Sequence, residues 1–190
     1  MLNGLLSGLL LVVSVQSLAF ASDWQVDTDA STITFETTAF GGPVSGDISD
    51  FEAGIRLNPD DLSDAMIDAR VGVASLDAGS TSYNDALNAS TGLAPDDHPD
   101  ALFVSENINE AMDCLAENGV RCFVANGTLV IRGVAQPTTL PFTLTISEGR
   151  ALADGELSIA REDFGIGGPS WGDAGRDVTI HLHIEAVAAE

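Results

Sequence analysis

Apolar side chains recur at every second position over several stretches of this 190-residue chain, and that period constrains the fold more than any other feature. Ile33 and Phe35 alternate with Thr32, Thr34 and Glu36, and Ile67, Ala69, Val71 and Val73 alternate with Asp68, Arg70, Gly72 and Ala74. Leu140, Phe142, Leu144 and Ile146 alternate with Pro141, Thr143 and Thr145, and Val178, Ile180, Leu182 and Ile184 alternate with Thr179, His181 and His183. Successive residues of a strand point to opposite faces, so each run has an apolar face to bury and a polar face to leave in water. Turn signals separate the runs: Gly41-Gly42-Pro43, Asn58-Pro59-Asp60, Asn118-Gly119, the stretch from Gly133 to Pro137, and Gly167-Gly168-Pro169. No long stretch carries a 3.6-residue period. Short helices are expected over 59–64 and around 81–90, the second capped by Thr81 or Ser82. About eight strands in one domain-sized chain predict an all-β antiparallel barrel or sandwich. Segment 76–100 is the longest without strand character, and the entrance to any cavity is expected there.

The residues at positions 4–20 form an uncharged Leu/Val-rich run, followed by Ala19-Phe20-Ala21 and the polar Ser22-Asp23. This is the pattern of a secretory h-region with an A-x-A cleavage box. Residues 1–21 are therefore expected to be a signal peptide and 22–190 a single domain, periplasmic or secreted. A membrane anchor is the alternative, but the run is at the short limit for a spanning helix. Cys114 and Cys122 flank a segment that contains Asn118-Gly119, a tight-turn signal, so a hairpin there brings them together. An oxidising compartment would close them into a local disulfide. Their spacing fits neither a redox C-x-x-C nor a zinc site.

Charge excludes several partners. The chain has 29 Asp and Glu against 7 basic residues, all of them Arg, for a formal charge of −22. Nucleic-acid binding and electrostatic docking on anionic membranes both rely on Lys and Arg replacing counterions, so neither is expected. The acids fall mostly in turns, in the helical segments and on polar strand faces. They describe a hydrated carboxylate shell suited to a salty environment, where screening relieves self-repulsion.

Several stretches, in order, resemble the YceI-like family of secreted lipid-binding proteins. They are Trp24-Gln25-Val26-Asp27 with Ser31, Ile33 and Phe35; Val44-Ser45-Gly46 leading to Phe51; Val73-Ala74-Ser75-Leu76-Asp77; and His98-Pro99-Asp100-Ala101-Leu102-Phe103-Val104-Ser105. Further along come Gly127-Thr128-Leu129-Val130-Ile131-Arg132-Gly133-Val134 with Pro137 and Leu140-Pro141-Phe142, then Arg161, Phe164-Gly165-Ile166-Gly167, Trp171, Val178, Ile180 and Glu185-Ala186. The resemblance implies an eight-stranded antiparallel lipocalin-like barrel that holds a polyisoprenoid, such as a quinone tail, in its lumen. It also implies a binding protein with no catalytic residues and no cofactor beyond the bound isoprenoid lipid; no metal is expected from the residues, and the chain is expected to be a monomer or homodimer, with the choice left open. The expected lumen residues are Ile33, Phe35, Ile67, Val71, Val73, Phe103, Leu129, Ile131, Phe142, Leu144, Phe164, Trp171, Ile180 and Leu182. Alternatives are an enzyme acting on a small apolar substrate in the same barrel, or an accessory that presents a quinone to membrane electron transfer. Many family members carry Arg-Asp and His-Leu-Arg-Ser in the helix where this chain has Tyr83-Asn84-Asp85-Ala86-Leu87-Asn88-Ala89. If those basic residues bind a polar or pyrophosphate head in other members, their absence here implies a neutral head group or no strong head preference.

Other motifs carry less. Gly168-Pro169-Ser170-Trp171-Gly172 matches the G-x-S-x-G elbow in form, but a Gly/Pro turn leading into a strand is not the strand–turn–helix context that an elbow needs. His181 and His183 share a strand face with Glu185, an acceptable metal-ligand spacing, yet that face is expected to be the solvated one. His98 reads as a loop residue. The pairs Asp60-Asp61 and Asp96-Asp97 lack an EF-hand loop. Trp171 and Tyr83 are candidates for the barrel mouth, each joining a large apolar face to one polar group.

Overall fold

The structure, a computed structural model, describes residues 23–111 and 119–189. Cys114, and with it the expected disulfide to Cys122, and the expected signal peptide at 1–21 thus lie outside the described residues. In chain order the strands are β1 (Asp23–Val26), β2 (Thr32–Ala39), β3 (Gly42–Ile48), β4 (Phe51–Asn58), β5 (Asp61–Gly72), β6 (Leu76–Asp77), β7 (Asp100–Glu110), β8 (Arg121–Ile131), β9 (Val134–Ser147), β10 (Arg150–Ala160) and β11 (Asp177–Ala188). Among the described residues one α-helix, α1 (Thr81–Asn88), lies between β6 and β7, and short 3-10 turns occupy Val73–Ser75, Arg161–Phe164 and Pro169–Trp171.

Antiparallel pairing runs β1-β4-β5-β7-β8-β9-β10-β11, and β11 returns to β1, closing a barrel of eight strands. β11 spends its outer edge on two partners, β2 through Thr179 to His183 and β1 through Ala186 to Ala188. β1 and β2 therefore act as one long strand broken at residues 27–31, and β3 with β4 form its partner. β6 adds a two-residue patch to β3 at Asp47 and Ile48.

Turn chemistry sets the register. Arg132 and Gly133 (φ 53° and 71°) and Glu148 and Gly149 (φ 52° and 75°) each put two consecutive residues in the left-handed region. That is the requirement of the hairpin turn whose twist matches the flanking strands.

The helix expected over 59–64 is not present. Asp60 donates its N–H to Asn58 Oδ1 and Ser63 donates to Asp61 Oδ1, so the Asn, Asp and Ser that suggest helix capping instead make a hairpin turn into β5. Helix α1 does form, but it is capped by Ser80, which accepts from the Tyr83 N–H, rather than by Thr81 or Ser82. The polar face of every long strand is outside. The apolar faces converge on two contiguous clusters, one around Phe103, Phe123, Leu129 and Phe142, the other around Ile33, Phe35, Val44 and Ile48.

Candidate functional site

The barrel encloses a cavity of about 450 Å³ whose walls are almost wholly apolar side chains from inward strand positions. Ile33, Phe35, Ile67, Val71, Val73, Phe103, Leu129, Ile131, Phe142, Leu144, Trp171, Ile180 and Leu182 all border it. Phe164 does not: it sits in the 3-10 turn Arg161–Phe164, off the strand alternation, and is buried in the surrounding core instead. β11 shows why the period predicts the lining. Its residues Val178, Ile180, Leu182, Ile184 and Ala186 face the cavity in turn, and His181 and His183 take the other face.

Two walls are built from residues that the sequence reading passes over. On β4 they are Phe51, Ala53, Ile55 and Leu57, and on β10 Ala151, Ala153, Gly155, Leu157 and Ile159. Glu52 and Arg56 on β4, and Asp154, Glu156 and Ser158 on β10, fall between inward positions, a partial alternation that Gly54 and Leu152 interrupt. The β10 positions are mostly small, so the strand leaves space in the lumen where Leu or Phe would fill it.

One end of the cavity is firmly floored. Trp24 donates its indole N–H to the Leu57 carbonyl at 2.9 Å, and this buried bond ties β1 to the end of β4. The other end is dressed by α1, the 3-10 turn at 169–171 and the β2–β3 hairpin. Ser82, Tyr83, Ala86 and Leu87 of α1 reach the cavity there, within the segment where the entrance is expected. The helix is moored by Asn84, which donates to Asp77 Oδ1 and accepts from the Ala78 N–H. That Asn84 contact, with the Gly79 N–H, holds the Asp77 carboxyl below its ordinary range. Tyr83 and Trp171 both stand at this rim. Tyr83 stacks on Phe40, which is 75% exposed at the hairpin tip, and the Trp171 indole N–H reaches Thr91 Oγ1 at 3.3 Å.

The two guanidinium groups bordering the cavity are already committed. Arg161, only 7% exposed, donates to the Gly175, Ile166 and Ala174 carbonyls at 2.7, 2.8 and 2.9 Å and lies over the Trp171 ring. It therefore fastens the 160–177 connection across the mouth. Arg70 bridges Glu52, Asp100 and Asp50, and these three carboxylates hold its guanidinium well above the ordinary arginine range.

Outside the barrel, His183 Nδ1 lies 2.7 Å from Asp154 Oδ1, and His181 lies 3.6 Å from Glu156 and 4.0 Å from Glu36, both rings half-exposed. His98 lies in the loop before β7 with its ring beside Gly133. Gly168 to Gly172 form a turn with no strand leading into Ser170, so the scaffold of a nucleophile elbow is missing there.

A family model described as a YceI-like domain matches residues 24–186. Among solved structures, BcnA of Burkholderia cenocepacia is 26% identical with a TM-score of 0.76, the match covering 86% of this chain and 100% of that one. A polyisoprenoid binding domain from Saccharophagus degradans is 14% identical with a TM-score of 0.69, covering 90% of this chain and 99% of its own. A Campylobacter jejuni YCEI protein is 19% identical with a TM-score of 0.63, covering 76% and 85%. No curated protein matches the chain by sequence.

Proposed function

The chain belongs to the YceI-like family, and from that premise we propose that it is a secreted or periplasmic, non-catalytic protein that carries or sequesters a polyisoprenoid lipid in its barrel lumen. The observation that carries this reading is the cavity itself, about 450 Å³ and bordered by inward apolar side chains from every strand of the ring. Ligand pockets of about 300–1,000 Å³ take one small molecule. A flexible hydrocarbon needs only such a dry tunnel, because burial contributes about 25 cal/mol per Å² without directional contacts. The solved polyisoprenoid binding domain with the same fold supports the choice of ligand class.

The head group is neutral on this reading. Helix α1 carries no basic residue, while Arg70 and Arg161 spend their donors on carboxylates and backbone carbonyls. A quinone or prenyl alcohol suits this rim better than a prenyl pyrophosphate. In the exported protein, Ser22 follows the removed leader and Cys114 is bridged to Cys122. The intact mass of the purified protein reads both features.

Native mass spectrometry of protein purified from its own cells, followed by organic extraction, tests the function. A co-purified prenyl lipid with a neutral head is the expected result. A barrel that is empty as isolated and binds no prenyl alcohol or quinone on addition overturns the reading.

A further inference from the structure

The ring of strands is not hydrogen-bonded along its whole height. β9 pairs with β10 only from Ser147 and Arg150 as far as Phe142 and Gly155. Both strands continue: β9 follows β8 back to Val134, and β10 follows β11 on to Ala160. The facing edges 134–141 and 156–160 thus have no ladder pair between them.

The sequence explains the break. Alternate residues of a strand aim their N–H and C=O groups at alternate neighbours. The β8–β9 ladder runs unbroken past Val124 opposite Pro141 and Thr128 opposite Pro137. Both proline nitrogens therefore face β10, and neither has a hydrogen to donate. Of the edge positions that would extend the ladder beyond Thr143, only Thr139 keeps a donor.

Side chains alone close this gap. Leu140 of β9 with Leu157 and Ile159 of β10 stand along it, and all three border the cavity. Gly155, where pairing ends, adds no side chain to the wall and borders both the interior cavity and a shallow exterior groove. At the top, Gln136 donates to the Asp163 carbonyl at 2.9 Å. A second unpaired stretch, between residues 61–67 of β5 and 105–110 of β7, is different. There the Ile67 N–H donates to Ser105 Oγ, and Arg121 clamps Asp60, the Pro59 carbonyl and Glu110. Of the residues along it, only Ile67 borders the cavity.

We propose that the β9–β10 seam is a lateral portal through which an apolar chain enters and leaves the lumen. Parting it separates apolar side chains without breaking a backbone ladder, and it opens the lining sideways, so a long chain need not be threaded end-first past α1 and the Arg161-fastened loop. The portal rests on the lumen-binding reading given above.

The test uses the full chain carrying Thr139→Cys and Ser158→Cys, positions that would face each other if the register continued, joined by a short bis-maleimide that alkylates both thiols. Stopped-flow fluorescence follows uptake of a linear conjugated polyene. The joined protein is expected to load at least about tenfold more slowly, while a control joined at Thr145→Cys and Leu152→Cys, which already pair across β9 and β10, loads at the unmodified rate. A Pro137→Thr/Pro141→Thr variant, which supplies the missing donors without a crosslink, is expected to slow loading in the same direction. Unchanged loading of the seam-joined protein overturns the portal while leaving lumen binding intact. An unmodified protein that takes up no polyene overturns the lumen reading and the portal with it.

Discussion

Filling the lumen from β10 should shorten the hydrocarbon that the barrel can hold. Ala153 faces the cavity between Leu144 of β9 and Ile184 of β11, and Ala153→Phe places a six-carbon ring there. If each carbon group takes about the ~30 Å³ that a water occupies, 450 Å³ accommodates about 15 carbons, or about three isoprene units. The new ring removes room for about six carbons, a little more than one unit. Burying a five-carbon unit gains about 4 kcal/mol gross at ~0.8 kcal/mol per carbon group. Ordering the flexible unit offsets much of that and leaves about tenfold in affinity per unit. The assay is isothermal titration with prenyl alcohols of increasing length. In the unmodified protein the dissociation constant should fall about tenfold per unit and level off after about three units; in Ala153→Phe it should level off after about two. Circular dichroism and thermal melting establish that the variant remains folded. A dissociation constant that is independent of length, or a plateau that Ala153→Phe does not move, refutes the reasoning.

Three further outcomes follow from the same geometry. Trp24→Phe removes the donor to the buried Leu57 carbonyl, and should cost about 1–3 kcal/mol in urea unfolding; a loss under ~0.5 kcal/mol would mean that the bond does not hold the floor. With a net charge of −22, self-repulsion should make the melting temperature fall as ionic strength is lowered; a flat response contradicts the salt-suited surface. Asp61, Asp77 and Glu110 are held below their ordinary pKa, by Ser63, by Asn84 with Gly79, and by Arg121. Folded-state values lower than unfolded ones mean that their stabilisation is full above about pH 5 and is lost as pH falls through and below ~4. In pH-dependent unfolding, Asn84→Ala should therefore flatten the acid limb; an unchanged limb excludes the Asp77 contribution.

How much of this was legible in the sequence depended on how full each strand is. β11 and the end of β9 announce themselves because Ile180, Leu182, Phe142 and Leu144 are large and strictly alternate. β10 hides because Ala151, Ala153 and Gly155, which leave space in the lumen, are small, and small residues carry little strand signal. β4 is obscured by Gly54 and Arg56 between its inward Ala53, Ile55 and Leu57. Phe164 misleads in the opposite sense, since its aromatic side chain suggests lining but the turn that carries it packs into the core. The Asn58 to Ser63 stretch reads equally as a helix start or a hairpin, and only the pairing of β4 with β5 decides. The β9–β10 seam was hidden as well. Pro137 and Pro141 are plain in the sequence, but which neighbour their nitrogens face is known only once β8 is seen to pair through both.

The central claim is that the ligand lies inside the barrel, and photo-crosslinking tests it most directly. A prenyl alcohol bearing a diazirine near its tail end, bound at equal concentration and irradiated, should label peptides carrying inward residues such as Leu129, Phe142 and Leu182. Labelling confined to the exposed exterior side chains Met66 and Val104 would place the lipid on the outer wall and contradict the account.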